Sequence, residues 1–266
     1  MSMENEYLTG QRRDGHPQLI ADFEAESLQA TDGLAPKRDI AYGEHERQVF
    51  DLFLPRDREA TTVLCYYHAG YWQSRDKSQF RFIAEPFVKA GLAVALVNYP
   101  LCPDVTFCEL VQMVKSSPAA VQNHLRHHHG LHCNTLLVGH SAGAHLVVEM
   151  AETPGVLGIV GLSGVYDLLP LIETSLNERL QLDPYNARQR SVVGRQRDPM
   201  PAALFAAGAS ETTEFLRQTE IMDADWRRSG SRSTLMVTPE DDHFTILRTL
   251  CRSGSTLHQA VLDMAR

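Results

Sequence analysis

The chain has 266 residues, with 25 Lys and Arg against 33 Asp and Glu, and a net charge of -8 at pH 7. That balance leaves no clustered basic surface of the kind that grips nucleic acid or an anionic membrane, so a small organic substrate is the partner class that remains. Five cysteines (Cys65, Cys102, Cys108, Cys133, Cys251) form neither an even disulfide framework nor a C-x-x-C zinc pair, and read as reduced thiols of a cytoplasmic protein.

Residues 1–36 are polar, carry no apolar leader and read as a lead-in to the fold. No later run approaches the length needed to span a bilayer. "RQVFDLFLP" alternates apolar and polar residues up to Pro55 and predicts a half-buried antiparallel strand at one end of a sheet. "TTVLCYYHAG" is a continuous apolar run ending in small residues; a helix through Phe80, Ile83 and Phe87 follows and stops at Gly91. "LAVALVNYP" is the next buried strand. Thr106 with Glu109 makes a capping box for the following helix, which Pro118 must kink or divide near Ser117. Then come "NTLLVGH" as a strand, "AGAHLVVEM" as a helix, and "VLGIVGLSG", "PAALFAAGAS" and "STLMVTP" as strands. Fully apolar strands separated by helices imply a mostly parallel central sheet covered on both faces, and the whole chain, 1–266, reads as a single α/β domain. Residues 168–200 break the rhythm, being polar, Arg-rich and without a convincing strand. An insertion there follows a strand's carboxyl end, where open parallel sheets bind ligands, and is expected to form a cap or lid.

The stretch "LLVGHSAGAHLVV" carries a Gly-x-Ser-x-Gly match at Ser141. The match alone is weak, but a strand before it, a tight turn at it and a helix after it are what a nucleophile elbow needs. Gly139 and Gly143 stand where side chains would clash, and a helix opening at Ala142 aims backbone N–H groups toward the serine. A serine hydroxyl is a poor nucleophile without an imidazole base and a group that orients that base. Of the twelve histidines, His140 is locked in the elbow, His145 lies on the helix beyond it, and His127, His128, His129 and His132 read as a solvated helix end. His243, in "MVTPEDDHF" after the last strand, is the candidate base. The acid is expected between serine and histidine in chain order; Glu211, just past "AALFAAG", is preferred, with Asp167 and then Glu214 as alternatives. Asp241 and Asp242 adjoin His243 too closely and shape its loop. For the oxyanion hole the elbow supplies Ala142, and "YYHAGYW" supplies Gly70 and Tyr71, with His68 bracing the loop. Trp72 either walls an acyl or aryl pocket or packs beneath the loop. The chemistry calls for no cofactor and no metal.

Taken together these segments resemble the α/β-hydrolase superfamily, and within it the branch of kynurenine formamidase-like hydrolases and related small carboxylesterases. "YGEHERQVFDLFLP" resembles the branch's opening strands, "HAGYW" its H-G-G-x-W oxyanion loop, "GHSAGAHL" its elbow, "GLSGVYDLLPL" the entry to its cap, "GASETTEFLRQ" its acid loop and "DDHF" its histidine loop. The likeness runs from about Ala41 to about Leu247. It implies Ser141 as nucleophile, His243 as base, Glu211 as acid and oxyanion donors at Gly70, Tyr71 and Ala142. Two departures stand out: Ala69 replaces the usual second glycine, which alanine would strain at a positive φ, and glutamate stands where many hydrolases use aspartate. The expected function is a serine hydrolase that cleaves a small carboxylic ester or an aryl formamide such as N-formylkynurenine through an acyl-enzyme, with Tyr71 and Trp72 excluding larger acyl groups. The alternative is a non-catalytic ligand-binding protein on the same fold, which usually lacks a triad member. A metal-dependent amidohydrolase built on His127 to His132 is a third reading. An exposed sheet edge could support a homodimer, but nothing in the sequence argues for one.

Overall fold

A computed structural model describes residues 2–56, 59–195, 198 and 200–266. In chain order the elements are α1 (Met3–Arg12), α2 (His16–Leu34), β1 (Lys37–Ala41), β2 (Val49–Phe53), β3 (Thr62–Tyr67), α3 (Ala84–Lys89), β4 (Ala93–Val97), α4 (Phe107–Val114) and α5 (Ser117–His129). They continue with β5 (Asn134–His140), α6 (Ala142–Glu149), β6 (Val156–Leu162), α7 (Asn177–Leu180), α8 (Pro184–Arg190), β7 (Ala202–Gly208), α9 (Thr213–Arg228), β8 (Ser233–Thr238), α10 (Ile246–Cys251) and α11 (Thr256–Met264). A 3-10 helix, Lys77–Ile83, leads into α3.

The strands form one eight-stranded sheet in the order β1-β2-β4-β3-β5-β6-β7-β8. From β4 to β8 every neighbouring pair is parallel; β2 runs antiparallel to both β1 and β4. The continuous apolar runs have a direct cause in this geometry. Along β3, Val63, Cys65 and Tyr67 enter one core while Leu64 and Tyr66 enter the other, so both faces of the strand demand apolar side chains. Both helix signals near residue 110 are met: Thr106 and Glu109 form the capping box of α4, and α5 restarts with Pro118 in its first turn.

Two expectations need correction. The strand Val49–Phe53 is neither half-buried nor at the end of the sheet, because β1 takes the edge outside it. Its one polar residue, Asp51, is fully buried and accepts ion pairs from Lys77 at 2.8 Å and Arg81 at 2.7 Å. The polar lead-in is also folded. α1 opens on a Ser2 cap, and α2 packs on the 3-10 helix through Phe23, whose ring stacks on Phe82 at 4.6 Å.

Between β6 and β7 the described residues hold a 3-10 turn (Leu169–Glu173), α7 and α8, and no strand. Leu171, Leu180, Leu182, Ala187 and Val192 of this segment are buried. No helix among the described residues is long and apolar enough to cross a membrane.

Candidate active site

At the end of β5 the chain turns into α6 through Ser141, which takes φ 56° and ψ -115°. A non-glycine residue held there costs on the order of 1–3 kcal/mol, and the surroundings enforce it. A Cβ at Gly139 would overlap the carbonyl of Gly143, and one at Gly143 would overlap the carbonyl of Tyr67. The Ser141 N–H donates to Leu162 O at 2.8 Å, which ties the turn to β6.

Glu211 follows β7 and His243 follows β8, so the sheet brings both to the carboxyl edge where β5 ends. His243 Nδ1 donates to Glu211 Oε2 at 2.8 Å, leaving Nε2 as the basic nitrogen of the ring. The other carboxylate oxygen, Oε1, accepts from Ser163 Oγ at 2.5 Å and from the Gly208 N–H at 2.9 Å, and the Glu211 side chain is wholly out of solvent. The rival acids go elsewhere. Asp167 accepts from Leu169 N at 3.2 Å and faces Arg217 at 3.4 Å. Glu214 accepts from Tyr7 Oη at 2.8 Å and pairs with Arg217 at 2.7 Å; burial pushes its carboxyl up, but these partners outweigh it and hold the pKa below the usual range. Asp241 accepts from Thr249 Oγ1 at 3.0 Å, and Asp242 accepts from the N–H groups of Phe244 and Thr245, both at 2.9 Å, which shapes the histidine loop.

The remaining histidines also find places. His140 is fully buried and donates from Nε2 to the carbonyl of His243 at 2.6 Å. Burial, reinforced by the neighbouring His243, drives its pKa far down and keeps it neutral. His145 donates from Nε2 to Arg190 O at 2.7 Å, joining the elbow helix to α8, and burial brings its pKa down to about 4. His127, His128, His129 and His132 lie exposed around the end of α5, where His128 stacks on His124 at 4.3 Å. Among the described residues no three His, Cys, Asp or Glu side chains gather as a metal site would require.

In the loop that follows β3 the positive φ falls on Gly70 (126°), Tyr71 (50°) and Trp72 (58°), and not on Ala69. The alanine therefore carries no left-handed strain. A Cβ at Gly70 would overlap Ser74 O, so glycine is required there. His68 donates from Nδ1 to Ala69 O at 2.7 Å, receives Tyr99 Oη on its own carbonyl at 2.7 Å and stacks on Tyr99 at 4.4 Å; burial brings its pKa to about 4. Trp72 is fully buried, edge-on to Phe107 at 5.0 Å and to His145 at 5.4 Å.

A strand-elbow-helix serine, a glutamate-held imidazole and a glycine-bearing loop lie at one edge of the sheet, and the chain as a whole is similar to known proteins. The BD-FAE family model matches residues 50–179. The kynurenine formamidase of Danio rerio is 30% identical over 241 residues, covering 85% of this chain and 80% of its own, and that of Salmo salar is 31% identical with 85% and 81% covered. The chain belongs to the kynurenine formamidase family. A crystal structure from Silicibacter sp. described as a thioesterase superposes with a TM-score of 0.86 at 27% identity, covering 98% of this chain and 99% of that one. An esterase from Pyrobaculum calidifontis, at 17% identity and a TM-score of 0.70 over 94% and 91% of the two chains, shares the fold. That fold is the α/β-hydrolase fold, and the family is one of hydrolases.

In this family member α1 lies against the site, which the sequence did not suggest. Tyr71 Oη donates to Tyr7 O at 2.6 Å, Thr212 Oγ1 to Glu6 O at 2.7 Å, and the Glu214 N–H to Glu6 Oε2 at 3.0 Å. Tyr7 stands edge-on to Phe215 at 5.7 Å, and the Phe215 ring lies 4.2 Å from that of His243. A cavity of about 180 Å³ remains between α1 and the loops that carry Glu211 and His243, lined by Tyr7, Gly10, Arg13, Glu211, Phe215 and His243. Ser163, whose φ of 50° aims it at Glu211, is another participant with no local sequence signal.

Proposed function

We propose that this chain is a serine hydrolase acting on an aryl formamide or a small carboxylic ester. Ser141 attacks the carbonyl, and His243 Nε2 takes the hydroxyl proton and returns it to the departing amine or alkoxide. Glu211 holds the imidazolium that forms between those two transfers. The N–H groups of Gly70, Tyr71 and Ala142 receive the negative charge that develops on the carbonyl oxygen. Water, activated by the same imidazole, then releases the acyl group from Ser141. The observation that carries the reading is the 2.8 Å Glu211–His243 bond on a loop whose carbonyl is anchored by His140, the residue next to Ser141. A binding protein would have no use for a buried, thrice hydrogen-bonded glutamate holding a histidine in one tautomer.

A formamide is preferred over a larger ester for two reasons. The relatives at 30% and 31% identity bear the name kynurenine formamidase. The loop beside the nucleophile carries Tyr71 and Trp72, both buried, which favours a compact acyl group. The described residues of the expected 168–200 cap, which leave out 196, 197 and 199, serve as that cap in this reading, joined to the elbow helix by the His145–Arg190 bond. The test is kcat/KM for N-formylkynurenine beside 4-nitrophenyl acetate, with Ser141→Ala as blank. A formamidase turns over formylkynurenine above about 10⁴ M⁻¹ s⁻¹ and far faster than the ester. Cleavage of the activated ester alone would leave a hydrolase but remove the formamide assignment, and rapid turnover of long-chain acyl esters would remove the compact acyl pocket.

A further inference from the structure

The outer strands of the sheet, β1 and β8, differ in what they offer to another strand. β1 carries Lys37, Arg38 and Asp39, Asp39 takes φ 55°, and the register against β2 shifts between Lys37 and Ile40. Charge and irregularity of this kind keep an edge from accepting a further strand. β8 is the opposite case: its register with β7 is unbroken from Ser233 to Thr238, and none of its residues is charged. Leu235 is 37% exposed and Val237 46%, and residues two apart on a strand share one face.

The bonds to β7 fix where the backbone groups of β8 point. Arg232 O accepts from the Ala203 N–H at 3.0 Å and Thr238 O from the Ala209 N–H at 2.9 Å, so these residues, and with them Thr234 and Met236, turn their polar groups to β7. The residues between them alternate to the other side. Ser233, Leu235 and Val237 therefore present N–H and C=O groups to the open edge.

A second copy of the chain fits that edge by symmetry. About a two-fold axis at Met236, an antiparallel β8 sets Leu235 opposite Val237 of the second copy, and Val237 opposite its Leu235. Each pair exchanges both backbone hydrogen bonds, and the exposed apolar side chains meet across the strands on one face. The same register carries Arg232 toward Glu240 of the second copy. Arg232 lines a groove of about 880 Å³ beside the start of β8, in which Arg227 and Arg266 are already answered by Asp223 and Asp263, each at 3.0 Å. Glu240 stands exposed just past the strand's other end. We propose that β8 is a homodimer interface, which joins two eight-stranded sheets into one across a two-fold axis at Met236. The interface lies outside the hydrolase reading and does not depend on it.

Sedimentation velocity of the full chain over about 1 to 100 µM tests it. Wild type should reach twice the 29.8 kDa mass of one chain. Val237→Lys brings like charges together near the axis and should raise the dimer dissociation constant on the order of 100-fold or more. Leu28→Lys, at a 65% exposed position on α2, should leave it unchanged. Arg232→Glu and Glu240→Arg should each weaken the dimer, and the two combined should restore it. Met236→Cys reads the register even if Val237→Lys fails to fold, because facing residues in a non-hydrogen-bonded pair lie about 4.5 Å apart at Cα, within disulfide reach. Oxidation should link that variant into covalent dimers and leave wild type unlinked. A wild-type monomer throughout the range leaves the edge to some other partner and overturns the homodimer. So does a dimer indifferent to Val237→Lys, an equal loss in Leu28→Lys, or a Met236→Cys variant that oxidation does not link.

Discussion

His140→Leu isolates what the residue before Ser141, the proposed nucleophile, contributes. The substitution puts an apolar side chain of similar size in a fully buried place and removes the N–H that donates to the His243 carbonyl at 2.6 Å. A buried carbonyl stripped of its donor costs about 1–3 kcal/mol, and the loop can relieve that cost by shifting toward water. Any such shift displaces His243 from Ser141, and a displacement near 1 Å costs on the order of 100-fold in rate. We therefore expect kcat for 4-nitrophenyl acetate to fall about 10- to 100-fold while KM changes by less than about 3-fold, because the bond positions the base and touches no substrate. His140→Gln, which restores an N–H at similar reach, should recover most of the lost rate. Urea unfolding of each variant separates this from global destabilisation. A Leu variant with wild-type kcat, or Gln and Leu variants equally slow at equal stability, would refute the positioning role.

Glu211→Gln preserves the shape of the acid but disfavours the Nδ1–H tautomer, and kcat should drop on the order of 10³-fold or more at unchanged stability; a loss under about 10-fold would return Asp167 or Glu214 to contention. Tyr71→Phe removes the 2.6 Å bond to Tyr7 O that steadies a residue at φ 50°, and kcat should fall about 10-fold with the thermal midpoint lowered by a few degrees; unaltered kinetics would show that α1 does not support the oxyanion loop. His68 and His145 are both fully buried and held neutral with a pKa of about 4, burial being the main cause in each. The unfolded chain takes up those protons first, near pH 6.5, so the stability present at neutral pH is lost as pH falls from there toward 4, by up to about 3 kcal/mol for each histidine. Urea midpoints at pH 7.5 and 4.5 check this, and equal midpoints would contradict it.

The parts of this molecule that the sequence made legible are those whose cause is local. β3, β4 and β5 are buried on both faces and show it as unbroken apolar runs. The elbow glycines, the capping box at Thr106 and the break at Pro118 each act within a few residues of themselves. What escaped depends on partners far along the chain. Asp51 reads as a solvent-facing residue until Lys77 and Arg81 are placed on it. α1 looks like a polar lead-in because its anchors are hydrogen bonds, such as Tyr7 to Glu214 across 207 residues, which leave no periodicity. His140 reads as locked in the elbow, and the lock is its bond to the loop that carries His243. The glycine-to-alanine departure at Ala69 drew attention to the wrong residue, since the left-handed conformations fall on the three residues after it.

The central claim is a covalent acyl group on Ser141, and peptide mass analysis of enzyme quenched during turnover of 4-nitrophenyl acetate tests it most directly. We expect an acetyl adduct on the peptide carrying Ser141, chased away by further incubation in water and absent from Ser141→Ala, which should also be inactive. Turnover with no adduct at Ser141, or an active Ser141→Ala, would contradict the serine mechanism.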